Sequence, residues 1–553
     1  MTFPAGFLLG LAALLSGQTP GVASTDWMDA TTYEYFHVVV PPNASPAMMD
    51  AARTFQTCWK ISTRRDIKIS ERNEGRYNVW LGAEVLTEDL LGPEEKKKIP
   101  AGGCLVRTYI PPAKYAARGA NRQLIIAAND DQGVMRGIHV FFQKMVGARW
   151  LAPDAVLVPY ARFSMPKLDV MMRPPFAFRE NSFLGLWGRD TLAYRRGMML
   201  DDQFVPPPPG MEYLLPLASP TPSPPVSGQA AEYGSEAGAA ALAETLTQLI
   251  SAGQDGDGET LARREKAAWP PGSGIWSLSA MDWLTPVLSP DGVALNMREE
   301  SPSAAVIFTA NRVAQLLAGR FPGNPPRVHV LLPPELRRPP KSLRPDPAVI
   351  VHLSRADADF SLPPDDPGAT SNAVFGGDVS GWNRLGAELY VLDFLCNRRD
   401  PSLPFPCLDA IQPSVLYYIQ HNVAGVYMMC GTGGAPPESV DLGVLRSYLF
   451  GVFSWDPDLV MDMTTREFCR LYYGPAADAV QEYCRIASEA RKKAGVRLGL
   501  DDDAAWFDAD SLNRAIALFD GIPDDAEGFP AYKKRALAAC APLKALAEKR
   551  KAP

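Results

Sequence analysis

Four carboxylates stand where an apolar run gives way to another pattern. Glu180 follows "FAFR", Asp282 follows "IWSLSAM", Asp393 lies in "YVLDF", and Glu300 precedes the helix-forming stretch "SPSAAVIFTANRVAQLLAGRF". Hydrolysis of a glycosidic bond commonly uses two such groups, about 5–5.5 Å apart for retention of configuration and about 6.5–9.5 Å for inversion. Asp282 is the expected acid or base, with Glu180 or Glu300 as its partner. Trp276 and Trp283 flank Asp282 and offer faces for stacking on a sugar. Arg179 beside Glu180 suits a sugar acid, and Asp393 completes the candidate substrate contacts. Plainer readings stand beside these. Arg179 and Glu180 can form a structural pair, the tryptophans can be core, and Glu299 and Glu300 can serve the N-terminus of the following helix. His352 reads as a core histidine and Asp357 as a weak candidate.

Other chemistries are poorly represented. The five histidines are far apart, the eight cysteines form no CxxC pair, and no HExxH, GxSxG or Walker-type loop occurs. No zinc site is expected, and the proposed hydrolysis calls for no metal and no cofactor. The net charge of −7 comes with no basic tract, so a nucleic acid is not an expected partner. Cysteine pairing and oligomeric state stay open.

Two strand ends in register need a frame, and the chain length of 553 residues allows several domains. "GFLLGLAALL" followed by "GVAS" reads as a signal peptide over 1–24, although "MTFPAG" before it carries no Lys or Arg. Export to the periplasm or medium is the expectation, with no stable membrane span. Residues 33–161 read as an α/β sandwich. Its strands are "YFHVVVPP", "YNVWLGAE", "GCLVRTYI" and "RQLIIAA", and Ser45 and Pro46 open a helix between the first two. In "DDQGVMRGIHVFFQKMVGARWLAPDAVLVP", Val134, Ile138, Phe141 and Met145 share a helix face, Gly147 ends the helix, and "AVLVP" is expected to close the sheet.

Residues 173–455 carry continuous apolar runs, "RVHVLLPP", "AVIVHLSR", "ELYVLDFL" and "VAGVYMMC", of the kind expected of parallel strands buried on both faces. Helical runs alternate with them, which points to a TIM-like (β/α) barrel, complete or short of strands. A Pro/Ser-rich insert spans 206–271 and is expected outside the barrel core. It holds one helix, and "MEYLLPLA" is its candidate strand. Ser301 and Pro302 are expected to cap the helix after Glu300. Residues 456–553 read as a C-terminal helical domain.

"GVMRGIHVFFQKMVGARWLAP" resembles the end of the small α/β domain that precedes the barrel in bacterial α-glucuronidases and β-hexosaminidases. Three further stretches, "ESPSAAVIFTANRVAQLLAGRFPG", "ELYVLDFLCNRRDPSLPFPCLDAIQPSVLYYIQHNVAGVYMM" and "DLGVLRSYLFGVFSWDPDLVMDMTTREFCRLYYGPAADAVQEY", resemble the bacterial family called domain of unknown function 4838. The last is the most specific, through its spaced "LRSYL…WDP…EF…YYGPAA". The resemblance implies a carbohydrate-active barrel, a glycoside hydrolase acting on a polysaccharide or glycan. This sequence departs from the family pattern: no His lies between His139 and His329, and "SLSAMDW" keeps Asp282 without the neighbouring Asn. Two other readings therefore stand: a carbohydrate-binding protein that has lost catalysis, and a cell-surface scaffold.

Overall fold

The structure is a computed structural model that describes residues 36–72, 77–109 (except 85 and 87–89), 123–160, 168–181, 192–200, 232–252, 275–278, 286–430 (except 324) and 440–551 (except 521 and 523–529). The expected signal peptide and the strand "MEYLLPLA" lie outside them. Two compact units divide the chain.

The first unit comprises Met1–Ala177, Ala193–Met199 and Glu527–Phe529. Its strands are β1 (Phe36–Val39), β2 (Lys68–Ser70), β3 (Tyr77–Leu81), β4 (Cys104–Tyr109), β5 (Gln123–Ala127) and β8 (Asp169–Met172), in the order β2-β1-β3-β5-β4-β8. The first four run parallel, and β4 is antiparallel to both of its neighbours. Helix α1 (Pro46–Thr63) begins as expected: Ser45 accepts from the Met48 N–H at 2.9 Å and Pro46 takes the first position. The short helix α2 (Pro93–Lys96) follows β3. Asp130 caps α3 (Asp131–Phe141), accepting from the Gly133 N–H. The two helices are tied at their N-termini, Ser45 Oγ donating to Asp131. They pack through Phe55, whose ring centroid lies 5.7 Å from that of Phe141 and 5.2 Å from that of Phe142.

Val134, Ile138 and Phe141 are fully buried, as their spacing demands. Met145 is only half-buried. The α-helix passes into a π-turn over Phe142–Val146, which inserts a residue into the 3.6 period and hands the inner position to Val146. Gly147 then takes φ 75°, the left-handed cap expected of it. One expectation fails. The segment "AVLVP" does not close the sheet. Instead β6 (Arg149–Ala152) and β7 (Ala155–Leu157) pair only with each other, antiparallel. Two residues separate them, too few for anything but a tight reversal. The outer edge next to β4 is taken by β8. A short helix, α4 (Leu192–Gly197), completes the unit and brings Arg196 onto Asp50.

The second unit comprises Phe178–Leu192, Leu200–Ala526 and Pro530–Pro553. It holds a six-stranded sheet of β9 (Phe178–Asn181), β10 (Ile275–Ser277), β11 (Arg327–Leu332), β12 (Val349–Ser354), β13 (Glu388–Phe394) and β14 (Val423–Met429). All pairs are parallel, in the order β10-β11-β12-β13-β14-β9. The first strand in sequence therefore pairs with the last, and the second lies at the far edge. In a flat sheet that would separate consecutive strands by the full sheet width. In a rolled sheet it is the pairing that closes a barrel. The sheet is a parallel half-barrel.

Helix α5 (Glu236–Ala252) lies within the insert, yet it is packed: Ala239, Ala243 and Leu246 are buried. Its neighbour is α7 (Ala304–Arg320), whose Thr309 hydroxyl accepts from the Gly234 N–H at 2.8 Å. Gly234 has no room for a side chain, since a Cβ there would sit 2.2 Å from the Gly292 Cα at the start of α6 (Pro290–Arg298). The start of α7 also differs from expectation. The helix begins at Ala304, and the Ser301 and Ser303 hydroxyls both donate to the Arg338 carbonyl, at 2.6 and 2.9 Å. Ser301 Oγ also accepts the Ser303 N–H at 3.1 Å, so the hydroxyl serves the turn before the helix and the Arg338 carbonyl together. Helices α8 (Thr370–Arg384), α9 (Leu408–Gln420) and α10 (Gly443–Trp455) alternate with the strands, then α11 (Met461–Tyr473), α12 (Ala477–Ala494), α13 (Ala509–Ala517) and α14 (Pro530–Lys551) follow. Those last helices fall in the same compact unit as the sheet. All eight cysteines are free thiols. Among the described residues no helix is long and apolar enough to cross a membrane.

Candidate active site on the inner face of the parallel sheet

Side chains alternate across a strand, so register decides which of them can meet. Phe178, Gly425, Tyr390 and His352 are aligned across β9, β14, β13 and β12. Glu180, Tyr427, Leu392 and Ser354 form the next row towards the C-terminal ends. His329 and Leu331 share this face through β11. The opposite face carries Val328, Val330, Val351, Leu353, Val391 and Val426, all buried. It meets the helices: Asn181 Nδ2 donates to Ser447 of α10 at 3.0 Å, and Tyr418 of α9 donates to Asp393 at 2.6 Å. The first face is therefore the inner face of the half-barrel.

On that inner face the rings of Phe178 and Tyr390 stack at 5.4 Å and 5° although a strand lies between them. Gly425 makes this possible, because a Cβ there would meet the Tyr390 ring at 2.6 Å. Beside them His329 Nε2 and His352 Nδ1 lie 2.9 Å apart, both rings fully buried. Burial holds the His329 imidazole well below its usual range and pushes His352 down to about 3, an effect that the backbone of Val391 only partly offsets. Both are neutral at pH 7, one donating to the other. His352 Nε2 makes no well-formed hydrogen bond.

Glu180 reaches the C-terminal half of this face and is fully buried. One carboxylate oxygen accepts from the Asn181 N–H at 2.8 Å. Its register partner is Tyr427. A carboxylate near the C-terminal end of a barrel strand, on the inner face, stands where such folds bind their ligands.

The other expected site residues are dispersed. Arg179 is one residue from Glu180 and so faces the helices, its guanidinium 5.2 Å from the Trp455 ring. Trp276 is buried on the same outer face, in register with Val328. Asp393 is buried there too, bound by Arg355 at 2.9 Å, by the Tyr418 hydroxyl and by the Phe394 N–H at 2.8 Å. Glu300 is exposed and pairs with Lys341 at 3.1 Å. Glu299 accepts from the Ser342 and Leu343 N–H groups at 2.8 and 3.0 Å, which hold its carboxyl below the usual range against a raising contribution from burial. It serves that loop, not the N-terminus of α7. Asp357 binds Arg337, which also holds Asp378 at 2.8 Å. Asp282 and Trp283 lie outside the described residues. Sequence reasoning missed Tyr427, Tyr390 and His329. The signal was available only once Glu180 and Tyr427 were known to pair. Among the described residues no cluster of three or more His, Cys, Asp or Glu could hold a metal.

Comparison with solved structures shows the fold. A family GH115 4-O-methyl-α-glucuronidase with specificity for decorated arabinogalactans superposes at a TM-score of 0.55 with 8% identity, over 93% of this chain and 71% of that one. A GH138 enzyme targeting pectin rhamnogalacturonan II gives 0.46 and 10%, over 93% and 68%. A family 89 glycoside hydrolase from Clostridium perfringens gives 0.45 and 11%, over 90% and 60%. The fold of this chain, a small α/β unit followed by a parallel barrel-type sheet, is thus similar to that of the first of these. No curated protein matches the chain. By sequence, residues 264–485 match the family model described as Domain of unknown function (DUF4838).

Proposed function

We propose that this protein is an exported glycoside hydrolase that cleaves an O-glycosyl bond of a polysaccharide or glycan, with Glu180 as one of its two carboxylates. The observation that carries this reading is the position of Glu180: buried, near the C-terminal end of the first barrel strand, on the inner face and beside Tyr427. Active sites of (β/α) barrels form at that end. Asp282 is the proposed partner because it follows β10, the next strand of the chain. One of the two acts as general acid and the other as base or nucleophile. The Glu300–Lys341 surface pair argues for neither role.

A panel of aryl glycosides, assayed with the natural chain, Glu180→Gln and Asp282→Asn, tests the proposal. Release of the aryl group by the natural chain, and its loss in both variants, is the expected result. Turnover that survives Glu180→Gln removes that residue from the mechanism.

One observation favours a second reading. Among the described residues Glu180 is the only carboxylate in the C-terminal half of the inner face, since Asp393 points outward. A protein that binds carbohydrate without cleaving it would bind the same panel in both variants and release nothing.

A further inference from the structure

One surface of the second unit runs against the charge of the whole chain. The net charge is −7, yet a depression of about 540 Å³ carries Lys341, Arg344 and Arg384 on its wall and, among the described residues, no carboxylate. Arg384 ends α8 just before β13 begins, and Arg344 stands just before β12. The depression therefore lies at the N-terminal ends of these strands, the end opposite Glu180.

A fixed frame presents the three cations. β11 and β12 are joined without a helix, by an irregular segment whose main chain is tied to its surroundings at close intervals. The Arg337 carbonyl accepts from the Trp382 indole at 2.7 Å, the Arg338 carbonyl from Ser301 and Ser303, and the Arg344 carbonyl from the Asn311 amide at 2.9 Å. The Lys341 N–H donates to the Glu299 carbonyl at 3.0 Å, and the Glu299 carboxylate takes the next two N–H groups. Gly381 lets this segment close on α8, since a Cβ there would meet the Pro339 ring at 2.5 Å. The same point lies 3.6 Å from an Arg384 Nη, which brings that guanidinium to the seam.

Little of this charge is committed. Arg344 and Arg384 are exposed and form no ion pair among the described residues, and Lys341 has only the exposed Glu300 at 3.1 Å. Service to the C-terminus of α8 accounts for Arg384 alone. One exposed ion pair raises affinity by about fivefold at most, so a single monovalent anion is held weakly. A chain with a carboxylate on each unit meets several of the cations at once, and linked contacts multiply.

We propose that this depression binds an acidic polysaccharide, a chain of uronic-acid units, at a place separate from the inner-face site. The proposal names a ligand class for the carbohydrate reading of the protein and rests on it.

Native electrophoresis of the full chain through gels with and without polygalacturonate tests it. Fully methyl-esterified pectin is the uncharged counterpart, and phosphatidylglycerol vesicles, assayed by sedimentation, are a second anionic surface. Polygalacturonate should retard the chain at about 20 mM NaCl and release it at about 300 mM, and the esterified polymer should not retard it. Arg344→Ala/Arg384→Ala should weaken the binding by about fivefold or more. Lys549→Ala/Lys551→Ala, which removes the same charge from the exposed end of α14, should leave it unchanged, as should Glu180→Gln. Absence of retardation, equal retardation by the esterified polymer, or binding to the vesicles alone overturns the proposal. So does binding lost in the lysine variant or in Glu180→Gln but kept in the arginine variant. Release in the aryl glycoside assay is read independently, so a failure of this site and a failure of the catalytic proposal give different results.

Discussion

Arg179 and Glu180 are adjacent in sequence and lie on opposite faces of one sheet. The outer face is a set of finished contacts. Asn181 meets Ser447, Arg179 meets Trp455, and Asp393 is held by three donors. The inner face carries a neutral histidine pair, two tyrosines and a buried carboxylate. The same burial does different work on the two faces. Outside, it surrounds an ion pair between strand ends and the hydrogen bonds that tie helices to strands. Inside, it keeps two histidines neutral. Nearness to a catalytic candidate in sequence is therefore a poor guide to shared function, and strand parity is a better one.

The largest expected effect tests the inner face. Glu180→Gln should lower glycosidase turnover by about 10²–10⁴-fold, the usual contribution of an acid or base, while the unfolding midpoint barely moves. A variant that loses stability along with turnover would place Glu180 with the structural groups and erase the contrast.

The outer face should respond in the opposite way. Asp393→Ala leaves the buried Arg355 guanidinium without its carboxylate and should cost about 3–5 kcal/mol in denaturant unfolding. If that variant unfolds like the natural chain, the pair is not the lock inferred here.

Gly425→Ala probes the seam between stacked rings. The added methyl group would press on Tyr390 at 2.6 Å, so a loss of about 1–3 kcal/mol is expected, with altered near-ultraviolet dichroism. Unchanged spectra would mean that Phe178 and Tyr390 are free to part.

Acid should act through the inner face before it reaches most carboxylates. The folded chain holds His352 at about 3 and His329 well below normal, whereas an unfolded histidine titrates near 6.5. The unfolded chain therefore binds more protons as pH falls below about 6.5, and stability contributed by the neutral pair is full above that pH and declines towards the folded values. His139 in the first unit is pushed down to about 4 by burial and adds a loss of the same sign. Thermal unfolding between pH 7.5 and 5.5 should show a falling midpoint, with a shallower fall in His329→Gln/His352→Gln. Equal slopes would exonerate the pair.

The smallest effect concerns the first unit. Ser45→Ala removes the cap of α1 and its tie to Asp131, for an expected cost of about 1 kcal/mol, read from the urea midpoint of the first transition.

Much of the fold was legible in short stretches. Ser45-Pro46 and Asp130 marked helix starts, and Gly147 marked an end, because caps and left-handed turns depend on residues within a few positions. The runs "AVIVHLSR" and "ELYVLDFL" announced buried parallel strands through their continuous apolarity. That same continuity hid the site. A strand buried on both faces shows no alternation, so nothing in "FAFRENSF" says that Glu180 points inward and Arg179 outward. Ser301 illustrates the same limit at a helix start: its acceptance of the Ser303 N–H is local, but its donation to the Arg338 carbonyl, far along the chain, is not. Asp282 was named from its place after a strand and stays a proposal.

The sequence by itself determined the local pieces: where helices begin and end, which runs are strands, and which family its spaced motifs resemble, since each is fixed by residues close along the chain. The tertiary structure alone decided how those pieces meet: that the first barrel strand pairs with the last, that the β6–β7 hairpin stands apart from the main sheet, and that Glu180 faces Tyr427 while Asp393 is enclosed by Arg355 and Tyr418. Register and long-range hydrogen-bond partners are set by packing between residues distant in sequence, and no local pattern encodes them.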